Sequence, residues 1–159
     1  MRLSAFIRNN SEQIITRWEA LARATTPEAP AMTGLELRDH IKDVLICIAE
    51  DLEKSPEDRR DGPAEVHADT RWEHGYSLKQ LITEYWALRK TVIQLWVEEE
   101  SDSHLVDTIY FNDNIDYAAT HSISRYAARL EWSKQLMMGI LGHDIRDPLN
   151  AIGVVARND

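Results

Sequence analysis

The chain has a single cysteine, Cys47, among 159 residues. One thiol excludes a disulfide framework and a thiolate metal site. Its neighbours Val44, Leu45, Ile46 and Ile48 are apolar, so a buried, unreactive thiol is expected. No apolar run approaches the length of a membrane span, and the first residues, Met1-Arg-Leu-Ser-Ala-Phe-Ile-Arg8, lack a signal-peptide core. Positive charge is scarce: 18 Lys and Arg face 27 Asp and Glu, a net charge of −9. That balance argues against nucleic acid and against an anionic membrane as partners. Glycine and proline are also few, 6 and 5, which leaves room for long helices. With 43% hydrophobic and 28% charged residues the composition is globular. A cytoplasmic location is the expectation.

What is present is helical periodicity, and no alternating strand stands out. A first helix is expected from about Leu3 to Ala24, with Phe6, Ile7, Ile14, Trp18 and Leu21 facing a core. Thr25-Thr-Pro-Glu-Ala-Pro30 ends it. Thr33 and Glu36 have capping-box spacing ahead of a helix through Ile41, Val44, Leu45, Ile48 and Leu52. A charged loop, Glu53 to Pro63, precedes a short helix from about Ala64 to His74, closed by Gly75. Ser77 and Gln80 form a second box before a helix whose apolar face is Leu78, Leu81, Ile82, Tyr85, Leu88, Val92, Leu95 and Trp96. The acidic run Glu98 to Asp102 reads as a loop.

From about Ser103 a helical pattern continues without Gly or Pro to Met138. Ala119, Ile123, Tyr126, Leu130, Ser133, Met137 and Ile140 recur at alternating spacings of four and three, a coiled-coil-like seam. Beyond it, Met137, Leu141, Ile145, Leu149 and Ile152 fall in a stripe roughly 120° wide on a helical wheel, and His143 points about 180° from its centre. Asp144 is adjacent, at the edge of the stripe, and Asp147 shares the face of His143 one turn on. Pro148 cannot donate to the carbonyl of Asp144, so a bend or a loosened turn is expected there. A neutral imidazole with a free ring nitrogen can attack a phosphoryl group when a neighbour holds the other nitrogen's proton.

The stretch His143-Asp144-Ile145-Arg146-Asp147-Pro148-Leu149 resembles the H-box of two-component sensor histidine kinases, usually His-Glu/Asp-Leu-Arg-Thr/Asn-Pro-Leu. The resemblance implies that His143 is the phosphoryl acceptor and that Asp144 orients the ring and supports its developing charge. It also implies a homodimer, a catalytic domain elsewhere that supplies Mg-ATP, and a response regulator receiver domain that takes the phosphoryl group. Asp147 stands where Thr or Asn is usual, and a carboxylate there repels an aspartyl phosphate, which sets phosphatase activity against this chain.

A second resemblance spans roughly residues 1 to 130. The pattern His67-Ala-Asp-Thr-Arg71-Trp-Glu-His74-Gly75-Tyr-Ser-Leu78, followed by Leu81-Ile-Thr-Glu84-Tyr85-Trp-Ala-Leu88-Arg89, is similar to RsbR-type stressosome modules. These are globin-like helical domains that generally lack haem. The expected architecture is all-α: a five-helix globin-like or bundle domain over residues 1–130, then the start of a dimerisation and histidine-phosphotransfer helix over 131–159, cut before its hairpin partner. No Gly-rich nucleotide motif is present, so this chain alone is not expected to use ATP.

Three alternatives stand beside the kinase reading: a non-enzymatic stressosome-like scaffold, a haem or gas-binding sensor, and, less favoured, a stand-alone histidine phosphotransfer protein. His40, His67, His74, His104 and His121 are dispersed, with no i, i+4 pair, so neither metal nor haem is expected. Glu84 and Arg89, beside Tyr85 and Trp86, suggest either a small-molecule pocket or, better, a structural ion pair.

Overall fold

The computed structural model describes residues 2–27, 29–99 and 105–155, with side chains as far as residue 142. Six α-helices and one 3-10 turn occur among the described residues, and no strand. The helices are α1 (Leu3–Asn9), α2 (Ser11–Thr25), α3 (Gly34–Asp51), α4 (Gly62–Glu73), α5 (Leu78–Glu99) and α6 (Leu105–Val155). The all-α expectation holds. The chain divides into two units, Met1–Tyr126 and Ala127–Asp159.

Local sequence sets most helix ends. The Thr33 hydroxyl accepts from the Glu36 amide, and the Glu36 carboxylate accepts from the Thr33 amide at 2.9 Å, a complete capping box. Ser77 and Gln80 repeat the arrangement ahead of α5. Gly75, at φ +76°, closes the turn after α4, a conformation that side chains resist. Pro63 sits in the first turn of α4, where its missing N–H costs nothing, so this helix begins slightly earlier than the periodicity suggests.

Two boundaries differ from the sequence reading. The expected first helix is two helices broken at Asn10. Asn10, at φ −114° and ψ 17°, leaves the helical conformation although its amide still makes the helical bond to the Phe6 carbonyl, an acceptor its side chain shares, both at 3.0 Å, and the apolar period runs on. At the far end of α5, Glu98 and Glu99 are helical rather than loop. Glu98 pairs with Arg17 and Glu99 accepts from Gln13, which ties that turn to α2.

In the first unit α2 packs on α5, and α3 packs on α1, α2 and α4. The core is continuous: Phe6 and Ile7 from α1, Ile14 and Trp18 from α2, Ile41 and Leu45 from α3, Leu81, Leu88 and Trp96 from α5, Phe111 and Ile115 from α6. Phe6 meets Trp96 edge to face, ring centres 5.1 Å apart. The opening part of α6 is fastened at three levels. Asp107 accepts from the Leu3 amide at 3.0 Å, Ser122 bonds Tyr85 and the Ala64 carbonyl, and the Tyr126 hydroxyl donates to the Tyr76 carbonyl at 2.7 Å. Its buried face is Phe111, Asn114, Ile115, Ala118, Ser122 and Tyr126. Of the expected seam, Tyr126 is buried while Ala119 and Ile123 are only half-buried.

In the second unit α6 stays helical through Pro148 to Val155. Leu130, Met137 and Ile140 of the seam are exposed, as are Trp132, Leu136, Met138 and Leu141. No described helix is long and apolar enough to cross a membrane.

Candidate functional site

The most unusual chemistry in the first unit is an ionic cluster with no access to water. His67 and Arg71 lie one turn apart on α4 and meet Glu84 of α5; none is more than 2% exposed. Arg71 Nε is 2.9 Å from both Glu84 carboxylate oxygens, and Nη2 donates to the Leu37 carbonyl at 2.9 Å. The guanidinium also stacks on Tyr76, 5.2 Å from the ring centre, with Met32 Sδ 3.6 Å from Nη1. His67 Nε2 is 2.9 Å from Glu84 Oε2, and its ring meets Tyr85 edge-on. That approach is short enough for charge to act but poorly aligned as a hydrogen bond, and Nδ1 has no polar partner among the described residues. The Glu84 carbonyl is taken up by Trp18 Nε1 at 3.0 Å, so α2 is keyed to the same residue.

Electrostatics sort the three groups. Burial pushes the His67 imidazole below its ordinary value, against the pull of the Glu84 carboxylate. Burial alone would raise Glu84, but His67 and Arg71 outweigh it and hold the carboxyl below the usual carboxylate range. The cluster is therefore an ionised Glu84–Arg71 pair with a neutral histidine against it. A pair of this kind is poor evidence for net stability, although removing one partner alone is strongly destabilising.

A cavity of about 250 Å³ opens beside the cluster, lined by Ala22, Arg23, Thr26, Pro27, Pro30, Leu37, Tyr76 and Glu84 among others. Its lining is almost evenly mixed, with Ala22, Leu37 and the prolines beside Arg23, Thr26, Tyr76 and Glu84. A larger cleft of about 360 Å³ is lined by Arg2, Asp51, Arg59, Asp107 and Tyr110 among others. Cys47 lies elsewhere; burial pushes its thiol up to about 11, leaving it protonated and unreactive.

The residues singled out in the sequence fall as follows. Glu84 and Arg89 do not meet: Glu84 belongs to the buried cluster, and Arg89 pairs at the surface with Asp116 of α6. His67 and His74 are apart; His74 bonds the Thr70 carbonyl through Nδ1 at 2.8 Å, and its Nε2 stands 3.9 Å from Glu36. His143, Asp144 and Asp147 are in the helical backbone of α6, and their side chains lie outside those described. His104 lies outside the described residues altogether. Sequence reasoning missed Arg71 as the counter-ion of Glu84. The available signal was His67 and Arg71 at i, i+4, on a helix whose other buried residues are alanines.

A family model described as the RsbT co-antagonist protein rsbRD N-terminal domain matches residues 12–135. No curated protein and no solved structure matches the chain. The match covers α2 to α5, the buried cluster and the core-packed part of α6. By this match, which covers more than half of its length, the chain belongs to the RsbT co-antagonist protein rsbRD N-terminal domain family and carries a signal-transduction sensor domain.

Proposed function

We propose that this chain is the input region of a two-component histidine kinase, with His143 as its phosphoryl acceptor. The observation that carries the reading is the ordered motif His143-Asp144-Ile145-Arg146-Asp147-Pro148-Leu149 on α6, the same helix that supplies Phe111, Ile115 and Tyr126 to the sensor core. In this reading one ring nitrogen of His143 attacks the γ-phosphorus of Mg-ATP held by a separate ATP-binding domain. The N–P bond forms as the bond to the ADP oxygen breaks. Asp144 holds the proton on the other ring nitrogen and stabilises the imidazolium. The phosphoryl group then passes to an aspartate of a receiver domain. The exposed Leu130, Met137 and Ile140 are the contact of a homodimer, the arrangement in which such helices bury a seam. The stimulus is read by the first unit, and the cavity beside Glu84 is its candidate ligand pocket.

The test is labelling with γ-labelled ATP in the presence of a histidine-kinase ATP-binding domain. An acid-labile label that is absent from His143→Gln supports the assignment; a label that persists in that variant sinks it. Asp144→Asn should slow labelling by about 10²-fold or more while leaving the helical signal unchanged.

A second reading is favoured by the family match. As a co-antagonist module the chain would be a non-enzymatic scaffold, with the exposed face of α6 serving assembly alone. Complete absence of label on His143, together with retained self-association, would select it.

A further inference from the structure

We infer that Asp61, Glu65 and His121 form a binding site for a divalent transition-metal cation of the zinc class, joining the start of α4 to α6 within the first unit. Each of the three offers one ligand atom, and these atoms lie within 4.8 Å of one another. The gap between His121 Nδ1 and Asp61 Oδ2 is 3.6 Å. That is too long for a hydrogen bond and close to the edge of a tetrahedron with zinc-type bonds, about 3.4 Å.

The surroundings support a cation between these groups. Asp61 stands at the N-cap of α4, yet its side chain makes no capping hydrogen bond. Glu65 follows one turn later on the same helix, so two carboxylates stand together at this level. The next turn of the same two helices shows how the ridge is normally balanced. Asp69, four residues after Glu65, accepts twice from Arg125, four residues after His121, at 2.8 and 2.9 Å. At the earlier level two carboxylates face an imidazole where the later one has a single carboxylate and a guanidinium. Arg125 makes its hydrogen bonds to Asp69, with Glu65 only within its electrostatic reach, and Arg59 lies over Tyr117, 5.4 Å from its ring centre.

The site is also held in place. Ser122, next to His121, donates to the carbonyl of Ala64, next to Glu65, at 2.5 Å, which fixes the register of the two helices. Tyr117, one turn before His121, packs its ring 4.3 Å from the imidazole centre. One imidazole and two carboxylates suit zinc, manganese or ferrous iron better than calcium or magnesium. Three protein ligands leave further coordination positions open.

The experiment is titration of the full chain with Zn²⁺ by calorimetry, and with Co²⁺ followed by its visible ligand-field bands. One saturable equivalent is expected, weakened about tenfold or more by His121→Gln and by Asp61→Asn, with helical circular dichroism unchanged. His74→Gln, at a histidine outside the set, should bind as the parent does. Unaltered binding in His121→Gln, or no saturable binding up to about 1 mM metal, overturns the inference.

Discussion

Replacing Arg71 by Met tests the reading of the buried cluster directly. The substitution keeps most of the side-chain volume and deletes the charge. It removes both contacts to Glu84, the donor to the Leu37 carbonyl and the stacking on Tyr76. Glu84, 2% exposed, is left with a neutral histidine as its only ionisable neighbour in the cluster. Breaking a buried pair by removing one partner costs about 3–5 kcal/mol. The orphaned Leu37 carbonyl adds about 1 kcal/mol or more. Against a total stability of about 5–15 kcal/mol the variant should be marginal. Its thermal midpoint should fall by about 12–20 °C, given a few degrees per kcal/mol for a domain of this size. The loss should also depend on pH. Without Arg71 the histidine can take a proton and become the counter-ion, so the deficit should be smaller at pH 6 than at pH 8. Urea unfolding followed by the fluorescence of buried Trp18 and Trp96 gives both quantities. Arg71→Met with Glu84→Gln should recover part of the loss, because the stranded charge is gone. A deficit below about 1 kcal/mol, equal at both pH values, would refute the assignment of an ionised buried pair.

Because the folded state holds His67 below its ordinary value, the unfolded chain takes up a proton first as pH falls below about 6.5, so stability should decline on acidification through that window and remain full above it. His67→Asn should flatten this slope in unfolding experiments between pH 5 and 7, within the usual His titration range. Gly75→Ala forces a side chain into φ +76° and should cost about 1 kcal/mol in the same assay, while Gly34→Ala, at an ordinary helical position, should not show that penalty. Leu130→Glu should shift the chain toward monomer in sedimentation velocity if the exposed face of α6 is the homodimer contact; an unchanged dimer would place the contact elsewhere.

Features encoded over four residues were legible in the sequence. Thr33 with Glu36, Ser77 with Gln80, and Gly75 each carry their own geometry, and the structure places them at helix ends as read. The break at Asn10 was hidden because Phe6, Ile7, Ile14 and Trp18 keep the helical period across it, and a change of backbone angles at one residue leaves no periodic trace. The inward face of α6 was only partly readable for a different reason. Asn114 and Ser122 sit in the core because their polar atoms are satisfied, by the Tyr110 carbonyl and by Tyr85 with Ala64, and an apolar pattern search passes over them. Partner choice was least legible. Glu84 has Arg89 five residues away and Arg71 thirteen residues away, and only the packing of α4 on α5 decides for the distant one. The gathering of Asp61, Glu65 and His121 is invisible in the same way, since it needs two helices to meet.

The hydroxyl of Ser122 can release one proton only, and that restriction gives α6 a preferred rotational setting. It must spend the proton on the Ala64 carbonyl, which accepts and cannot give, so the Tyr85 hydroxyl, 2.7 Å away, has to be the donor to Ser122. A directed relay thus runs from α5 through α6 to α4. Turning α6 by a single residue, about 100°, would carry Ser122 away and present His121 or Ile123 to the two groups left behind. Ile123 can restore neither bond, and His121 could do so only with two ring nitrogens in place of one hydroxyl oxygen. The relay therefore ties the rotational setting of α6, within the first unit, to both α4 and α5.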